Sequence, residues 1–231
     1  MKTFNFFKFG HTSLGLPIHG FRWNHDNQTL IKVLVLGGVH GDEPEGIVAA
    51  KGLIEHLRNN FNLNLNLTVV PEFNPEGMLL KTRGNSNKVD LNRNLPTKDW
   101  SPIAASVRYF PGPSAMSEIE NTFLVDWIKQ EKPDVIYSLH SWKPMLNTNG
   151  DLPEAIEIAR LTGYSIEPDI GYPTPGSLGT YGNVEHKIPT LTYEIERDLS
   201  FDQIIKIHVP ALVAGLKCSE ARRKSTRQNK T

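Results

Sequence analysis

The sequence predicts a three-layer α/β/α sandwich around a mixed, mostly parallel sheet. Three observations carry that prediction. Short apolar runs rich in β-branched residues alternate along the chain with amphipathic stretches of helical period. At 231 residues and 39% hydrophobic, the chain is long enough for one substantial core. Neither a repeat nor a linker-like stretch interrupts it, so residues 1–231 are read as a single domain, with about 219–231 as a flexible tail.

Taken in order, residues 1–30 carry no firm assignment; their pattern leaves open whether they order against the sheet or pack on a partner. Asn5 and Lys8 break up their apolar residues too early for a signal-peptide core. The run IKVLVLGG (31–38) is continuous, β-branched and ended by glycines, which predicts a central strand buried on both faces. EGIVAAKGLIEHLRNN (45–60) follows at helical spacing, with Pro44 in the first turn where proline is tolerated. NLNLTVVP (64–71) predicts the next strand. Residues 72–116 show no sustained period, and an irregular stretch of that length is functional or hides short elements.

The stretch SEIENTFLVDWIKQEK (117–132) predicts a helix capped by Ser117 and Glu120. DVIYSLHSW (134–142) predicts a strand, 154–162 a short helix, and GYPTPGSLGTYGN (171–183) a turn-rich loop. IPTLTYEIE (188–196) predicts a strand carrying an inward carboxylate. FDQIIKIHVPALVAGLKC (201–218) predicts a last helix, kinked at Pro210.

Lys plus Arg and Asp plus Glu each total 25, so no net field draws in nucleic acid or an anionic membrane. Cys218 is the single cysteine, which excludes an internal disulfide or a cysteine-based zinc cluster and fits a reducing compartment. No run approaches the roughly 20 apolar residues of a membrane span. The expectation is a soluble, cytoplasmic protein.

In sheets of this kind ligands bind beyond the carboxyl ends of the strands. His40, His140 and Glu194 all fall at or near such ends. His40 and Glu43 place two metal-capable groups in one turn, and His140 is the best third; a catalytic zinc takes three such ligands and keeps a fourth position for water. Asp90 can accept the free ring N–H of a liganding histidine. A His-x-x-Glu turn at a helix start is nevertheless common, and His11, His19, His25, His56, His186 and His208 are read as surface or packing residues. Glu45 is read as a first-turn residue favoured by the helix dipole. Arg83, Asn92 and Arg93 sit in the non-periodic KTRGNSNKVDLNRN (81–94), either as a salt-bridged surface loop or, beside a metal, as grips for a carboxylate and an oxyanion.

HGDE at a strand end, NPEG (74–77), VDLNRN (89–94), SLHSW (138–142) and LTYEIE (191–196) occur in the order and rough spacing of the carboxypeptidase A-like zinc carboxypeptidases, and the chain resembles that family over residues 31–196. The resemblance implies one Zn²⁺ per chain held by His40, Glu43 and His140, with Asp90 behind the first histidine. It implies Glu194 as general base, with Glu196 the nearby decoy, and Arg83 as the group that polarises the scissile carbonyl and meets the oxyanion. Asn92 and Arg93 match the pair that binds the terminal carboxylate of a small peptide. Tyr172 matches the tyrosine that covers the substrate, with Tyr181 as its rival, and residues 176–183 should form the pocket floor.

Within the family, GYPTPGSLGTYG and the short length look most like the murein peptide amidase branch, which releases diaminopimelate from the γ-D-glutamyl bond of cell-wall tripeptide during cytoplasmic recycling. The charged YEIERD departs from that pattern and puts the far wall of the pocket in doubt. The alternatives are a general metallocarboxypeptidase, an aspartoacylase or succinylglutamate desuccinylase-type deacylase, and a non-catalytic peptide-binding module.

Overall fold

The computed structural model describes residues 2–25, 27 and 29–222. Its centre is the expected strand, β3 (Lys32–Gly37), flanked in parallel by β4 (Asn66–Val70) and β5 (Val135–Trp142). Successive side chains of a strand point to opposite faces. Val33 and Val35 accordingly join one hydrophobic core while Leu34 and Leu36 join another. The first core lies under α1 (Pro44–Asn60), α4 (Pro153–Thr162) and α5 (Phe201–Glu220), which contribute Leu53, Ile158 and Leu212. The second lies under α3 (Ile119–Glu131) and its neighbouring loops, which contribute Leu124, Ile128, Leu91 and Leu178. Those are the three layers.

The outer strands complete the sheet. β8 (Thr190–Glu196) pairs in parallel with β5, and β6 (Met145–Asn149) lies antiparallel beside β8 with the short β7 (Ser165–Glu167) at its edge. At the other edge, β1 (Lys2–His11) and β2 (Pro17–His25) form a hairpin joined to β4. The order is β1-β2-β4-β3-β5-β8-β6-β7, mixed, with its parallel pairs concentrated at the centre. No helix among the described residues is long and apolar enough to cross a membrane.

Two segments left open take on structure, and the expected cap of α3 and start of the tail need correction. Residues 2–25 form the hairpin: Phe4 and Phe6 sit on one face of β1, Phe7 and Phe9 on the other, so no clean alternation announces it. The long loop contains α2 (Pro75–Leu80), capped by Asn74, whose Oδ1 accepts from the Gly77 amide at 2.9 Å. The box expected at Ser117 does not form. Glu118 stands at the N-cap of α3 without a side-chain cap bond, and it and Glu120 instead accept from Asn85 Nδ2 at 2.7 and 3.4 Å. A capping box occurs at Ser200 and Gln203 of α5, which continues through Pro210. That helix reaches Glu220, Ser219 is buried, and Arg222 pairs with Glu154, so the tail does not begin at 219. Residues 223–231 and the side chain of His25 lie outside the described residues.

Of the histidines set aside, His19, His56 and His186 are exposed, His11 is half-buried, and His208 lies in the core. The Tyr193 hydroxyl and His208 Nδ1 share a hydrogen bond of 2.6 Å, and burial pushes the His208 pKa from 6.5 down to about 4, which keeps the ring neutral. A lowered histidine favours folding fully above about pH 6.5 and loses that contribution as pH falls through about 4; the difference corresponds to ~3 kcal/mol. His208→Asn, which keeps a polar group able to hydrogen-bond Tyr193, is expected to flatten the pH dependence of urea stability between pH 7 and 4 by about that amount. An unchanged pH profile would assign the dependence to other groups.

Candidate metal centre and substrate cleft

The carboxyl ends of β3, β5 and β8 meet at one cleft of ≈ 320 Å³. Beyond β3 the chain turns sharply through Gly38 at φ +64°, and Gly41 follows against α2, where a Cβ would lie 1.8 Å from the Gly77 carbonyl carbon. This close approach accounts for the glycine of HGDE, while a Cβ on Gly77 of NPEG would lie 2.4 Å from Asn74 Nδ2 and 2.6 Å from Gly84 O. Asn74 Nδ2 also donates to Val39 O at 3.3 Å, so α2 supports the turn that carries His40 and Glu43. Glu43 occupies the N-cap of α1 yet makes no cap bond with its side chain. Its carboxylate turns instead toward the imidazoles, and Oε2 accepts from the Ser141 amide at 3.2 Å.

His40, Glu43 and His140 are all buried, and one potential ligand atom from each lies within 4.8 Å of the others. The two Nδ1 atoms stand 3.0 Å apart, His140 Nδ1 is 2.9 Å from Glu43 Oε2, and His40 Nδ1 is 3.0 Å from Glu43 Oε1. Behind them, His40 Nε2 meets Asp90 Oδ1 at 3.0 Å and His140 Nε2 meets Ser138 Oγ at 2.9 Å. A ring that donates through Nε2 presents a lone pair at Nδ1. Two such lone pairs and a carboxylate converging in a buried space repel one another unless a cation lies between them. The donor set of two imidazoles and one carboxylate suits zinc.

Asp90 joins two functional groups. Besides His40 it accepts from Arg83 Nε at 2.8 Å, and Arg83 Nη1 reaches Glu43 Oε1 at 3.1 Å. Burial alone would raise the Asp90 pKa; His40, Arg83 and the hydrogen bond from His40 outweigh it and hold the group far below the usual range. Burial acts the same way on Glu43, and the adjacent histidines overcome it, so its pKa also lies well below the ordinary value. Both stay carboxylates. Glu194 differs: burial drives it up to about 7, Glu43 adds to the rise, and His140 opposes it only in part. It stands opposite His140 in the β5–β8 register, and its buried Oε2 has no partner among the described residues. Glu196 is exposed at the strand end.

Asn92 and Arg93 lie in a short 3₁₀ turn on the cleft wall. Asn92 Oδ1 accepts from the Leu178 amide at 2.8 Å, which ties the arginine loop to the 171–183 segment. Arg93 donates to Asn92 O at 2.7 Å and has no carboxylate partner among the described residues. Tyr172 is 44% exposed on the cleft rim, its ring 6.2 Å from Trp142. Tyr181 is only 1% exposed within the second core, which removes it as a rival for covering a ligand. Of the expected floor, Ser177 and Gly179 line the cleft; Met145, Asn147, Asn149 and Thr192 complete the recess.

Sequence reasoning missed several cleft residues. Tyr109 stacks under both Arg83 and Arg93, at 5.1 and 5.6 Å, from a loop with no periodic signal. Asn147 and Asn149 come from β6, whose polar face disguises a strand as a loop. Arg197 stands out in the sequence only as part of an excess of charge after the strand. Glu45 does more than favour the helix dipole: buried, it accepts from Ser141 Oγ at 2.5 Å and from the Asp198 amide at 3.0 Å, joining the exits of β5 and β8.

A mixed sheet with such a constellation at its carboxyl edge defines a metallohydrolase that acts on peptide bonds. The chain belongs to the zinc carboxypeptidase family, whose sequence profile matches residues 2–155. Among curated proteins it is 30% identical to murein peptide amidase A of Vibrio campbellii over 219 residues, 90% of this chain and 86% of that protein. It is 29% identical to murein peptide amidase A of Escherichia coli K12, over 75% of this chain and 74% of that protein. The fold matches the crystal structure of murein-tripeptide amidase from Escherichia coli O157 with a TM-score of 0.78 at 24% identity, covering 92% of each chain. It matches carboxypeptidase A of Helicoverpa armigera with a TM-score of 0.83 at 18% identity, over 96% of this chain and 70% of that one.

Proposed function

We propose that this chain is a single-domain, zinc-dependent exo-hydrolase that cleaves the terminal amide bond of a short peptide, with γ-D-glutamyl-meso-diaminopimelate of murein tripeptide as its substrate and cytoplasmic peptidoglycan recycling as its setting. The observation that carries the reading is the convergence of His40, Glu43 and His140 beside the unpartnered oxygen of Glu194. The likeness to murein peptide amidase A along most of the chain supports the substrate.

His40, Glu43 and His140 would hold one Zn²⁺, which when bound would serve as a Lewis acid able to polarise a carbonyl and to lower the pKa of water toward ~7. Glu194 takes the proton of the attacking water and passes it to the departing amine. Arg83, fixed by Asp90 and stacked on Tyr109, offers its guanidinium to the negative charge that develops on the carbonyl oxygen. Asn92 and Arg93 hold the terminal carboxylate, and this grip selects terminal over internal bonds. Tyr172 covers the bound peptide from the rim. The recess beyond, lined by Ser177, Asn147, Asn149 and Thr192, offers amide and hydroxyl groups without a fixed charge. Such a lining suits a side chain ending in both an amine and a carboxylate, as diaminopimelate does.

Mass spectrometry of L-Ala-γ-D-Glu-diaminopimelate incubated with zinc-loaded protein is expected to detect free diaminopimelate. Release of ordinary C-terminal residues from α-peptides, with none of diaminopimelate, would replace this reading by a general metallocarboxypeptidase. Cleavage confined to N-acyl amino acids would replace it by a deacylase of the aspartoacylase kind.

A further inference from the structure

The cleft has a polarity along β8. Thr192 faces the recess beside Asn147, Glu194 lies one strand repeat further on beside Met145, and Arg197 stands just past the strand end. Asn92 belongs to the Thr192 side, because its side chain accepts from the amide of Leu178, a core residue whose chain neighbours Ser177 and Gly179 line the recess, Gly179 against Asn149. A terminal carboxylate gripped by Asn92 and Arg93 therefore places the leaving amino acid on that side of Glu194. The acyl half of the substrate extends toward Arg197.

Backbone holds Arg197 in place. Its Nε donates to Ser141 O at 3.0 Å and its Nη1 to Asp42 O at 3.2 Å. These carbonyls belong to the neighbours of His140 and Glu43, so the guanidinium is registered to the metal centre. Among the described residues Glu43 is the one carboxylate within ion-pair distance, 3.5 Å from Nη2, and it already faces Arg83 and two imidazoles; Glu194 feels the Arg197 charge from further off. Arg83 and Arg108 differ, each having a carboxylate at 2.8 Å. A guanidinium carries five N–H donors. Three of those on Arg197 are engaged, its side chain is 36% exposed, and it borders the cleft. Arg93 and Arg197 are thus two under-neutralised guanidinium groups on opposite sides of the base.

Resting on the reading above, we propose that Arg197 binds a second substrate carboxylate, the free α-carboxylate of a γ-linked glutamyl residue on the acyl side of the scissile bond. In an α-linked peptide that carboxyl carbon is itself the scissile carbonyl, so the acyl residue presents no anion there. In a γ-linked one the side-chain carbonyl is cleaved and the α-carboxylate stays free, a short carbon chain away. Arg197 reads the linkage through that charge.

The test compares kcat/KM of zinc-loaded full-length protein on L-Ala-γ-D-Glu-diaminopimelate and on the same peptide with the glutamyl α-carboxylate converted to a carboxamide. Wild type is expected to prefer the free acid by about 100-fold, and Arg197→Gln to reduce that ratio to about threefold or less. Arg197→Lys, which keeps the charge and loses the planar fork, should fall between them. Equal cleavage of both peptides by wild type overturns the proposal, as does loss by the same factor on both peptides in the variants, since that outcome marks Arg197 as a support for the Asp42 and Ser141 carbonyls alone. If wild type cleaves neither γ-glutamyl peptide yet releases C-terminal residues from α-peptides, the proposed substrate class itself fails, and this inference with it.

Discussion

Glu194→Gln is expected to lower kcat on the tripeptide by about 10³–10⁴-fold while zinc content and thermal stability stay at wild-type values. The substitution preserves shape and removes only the capacity to accept and return a proton. Glu194 suits the task by position, opposite His140 across the β5–β8 pair, and by its buried, unpartnered Oε2. Burial raises its pKa to about 7 in the absence of a cation, and positive charge from bound zinc pulls it lower. A base acts only when deprotonated, so activity should rise with pH through that pKa. The acid limb of kcat/KM should thus lie below about pH 7, and it should be absent from the residual activity of the variant. Glu196 provides the control. It is exposed at the end of β8, and Glu196→Gln should stay within about threefold of wild type. Comparable losses from both changes would place the base elsewhere.

Glu194 is preferred to Glu196 in the sequence only through the resemblance to zinc carboxypeptidases, which assigns no role to Arg197; how much else is legible depends on how each element is encoded. The central strands are legible because strands buried on both faces must be continuously apolar, and β3 and β5 leave no other reading. A histidine near the end of such a run, as His140 is in β5, therefore declares itself as a side chain at a sheet's carboxyl edge. The outer strands obey weaker constraints. β6 receives no assignment from the sequence because Asn147 and Asn149 face the cleft, so the residues that shape the recess are those that erase the strand signal. β1 is obscured differently, since Phe4 and Phe6 on one face and Phe7 and Phe9 on the other mask its alternation. The arginine loop is held by contacts distant in sequence, such as Asn85 to Glu118 and Asn92 to Leu178, which no local pattern records. Ser117 shows the converse error. It has a capping signature, yet the glutamate that would complete the box is buried and turned toward Asn85.

Removal of the cation should abolish hydrolysis and also loosen the fold, which separates a structural metal requirement from a merely catalytic one. Without it, the two Nδ1 atoms 3.0 Å apart and the carboxylate of Glu43 confront one another in a buried space, and only protons can relieve the repulsion. A ligand that binds only the native state stabilises it by about 4 kcal/mol at a thousand times its Kd. For a domain of this size that corresponds to a rise in Tm of roughly 8–16 °C. Chelator-treated protein should accordingly melt that much lower, regain both Tm and activity with one equivalent of Zn²⁺, and show the equivalence point in a calorimetric titration. His140→Ala should remain inactive under the same titration and gain little in Tm, because it deletes one of the three ligands and leaves the other two an open, weaker site. The position of the residues makes the coupling strong: His40 and Glu43 sit where β3 passes into α1, and His140 ends β5, so one ion fastens together two central strands and a helix. Full activity in exhaustively chelated protein, or failure to take up zinc at all, would remove the centre on which the roles of Glu194, Arg83 and Arg93 depend.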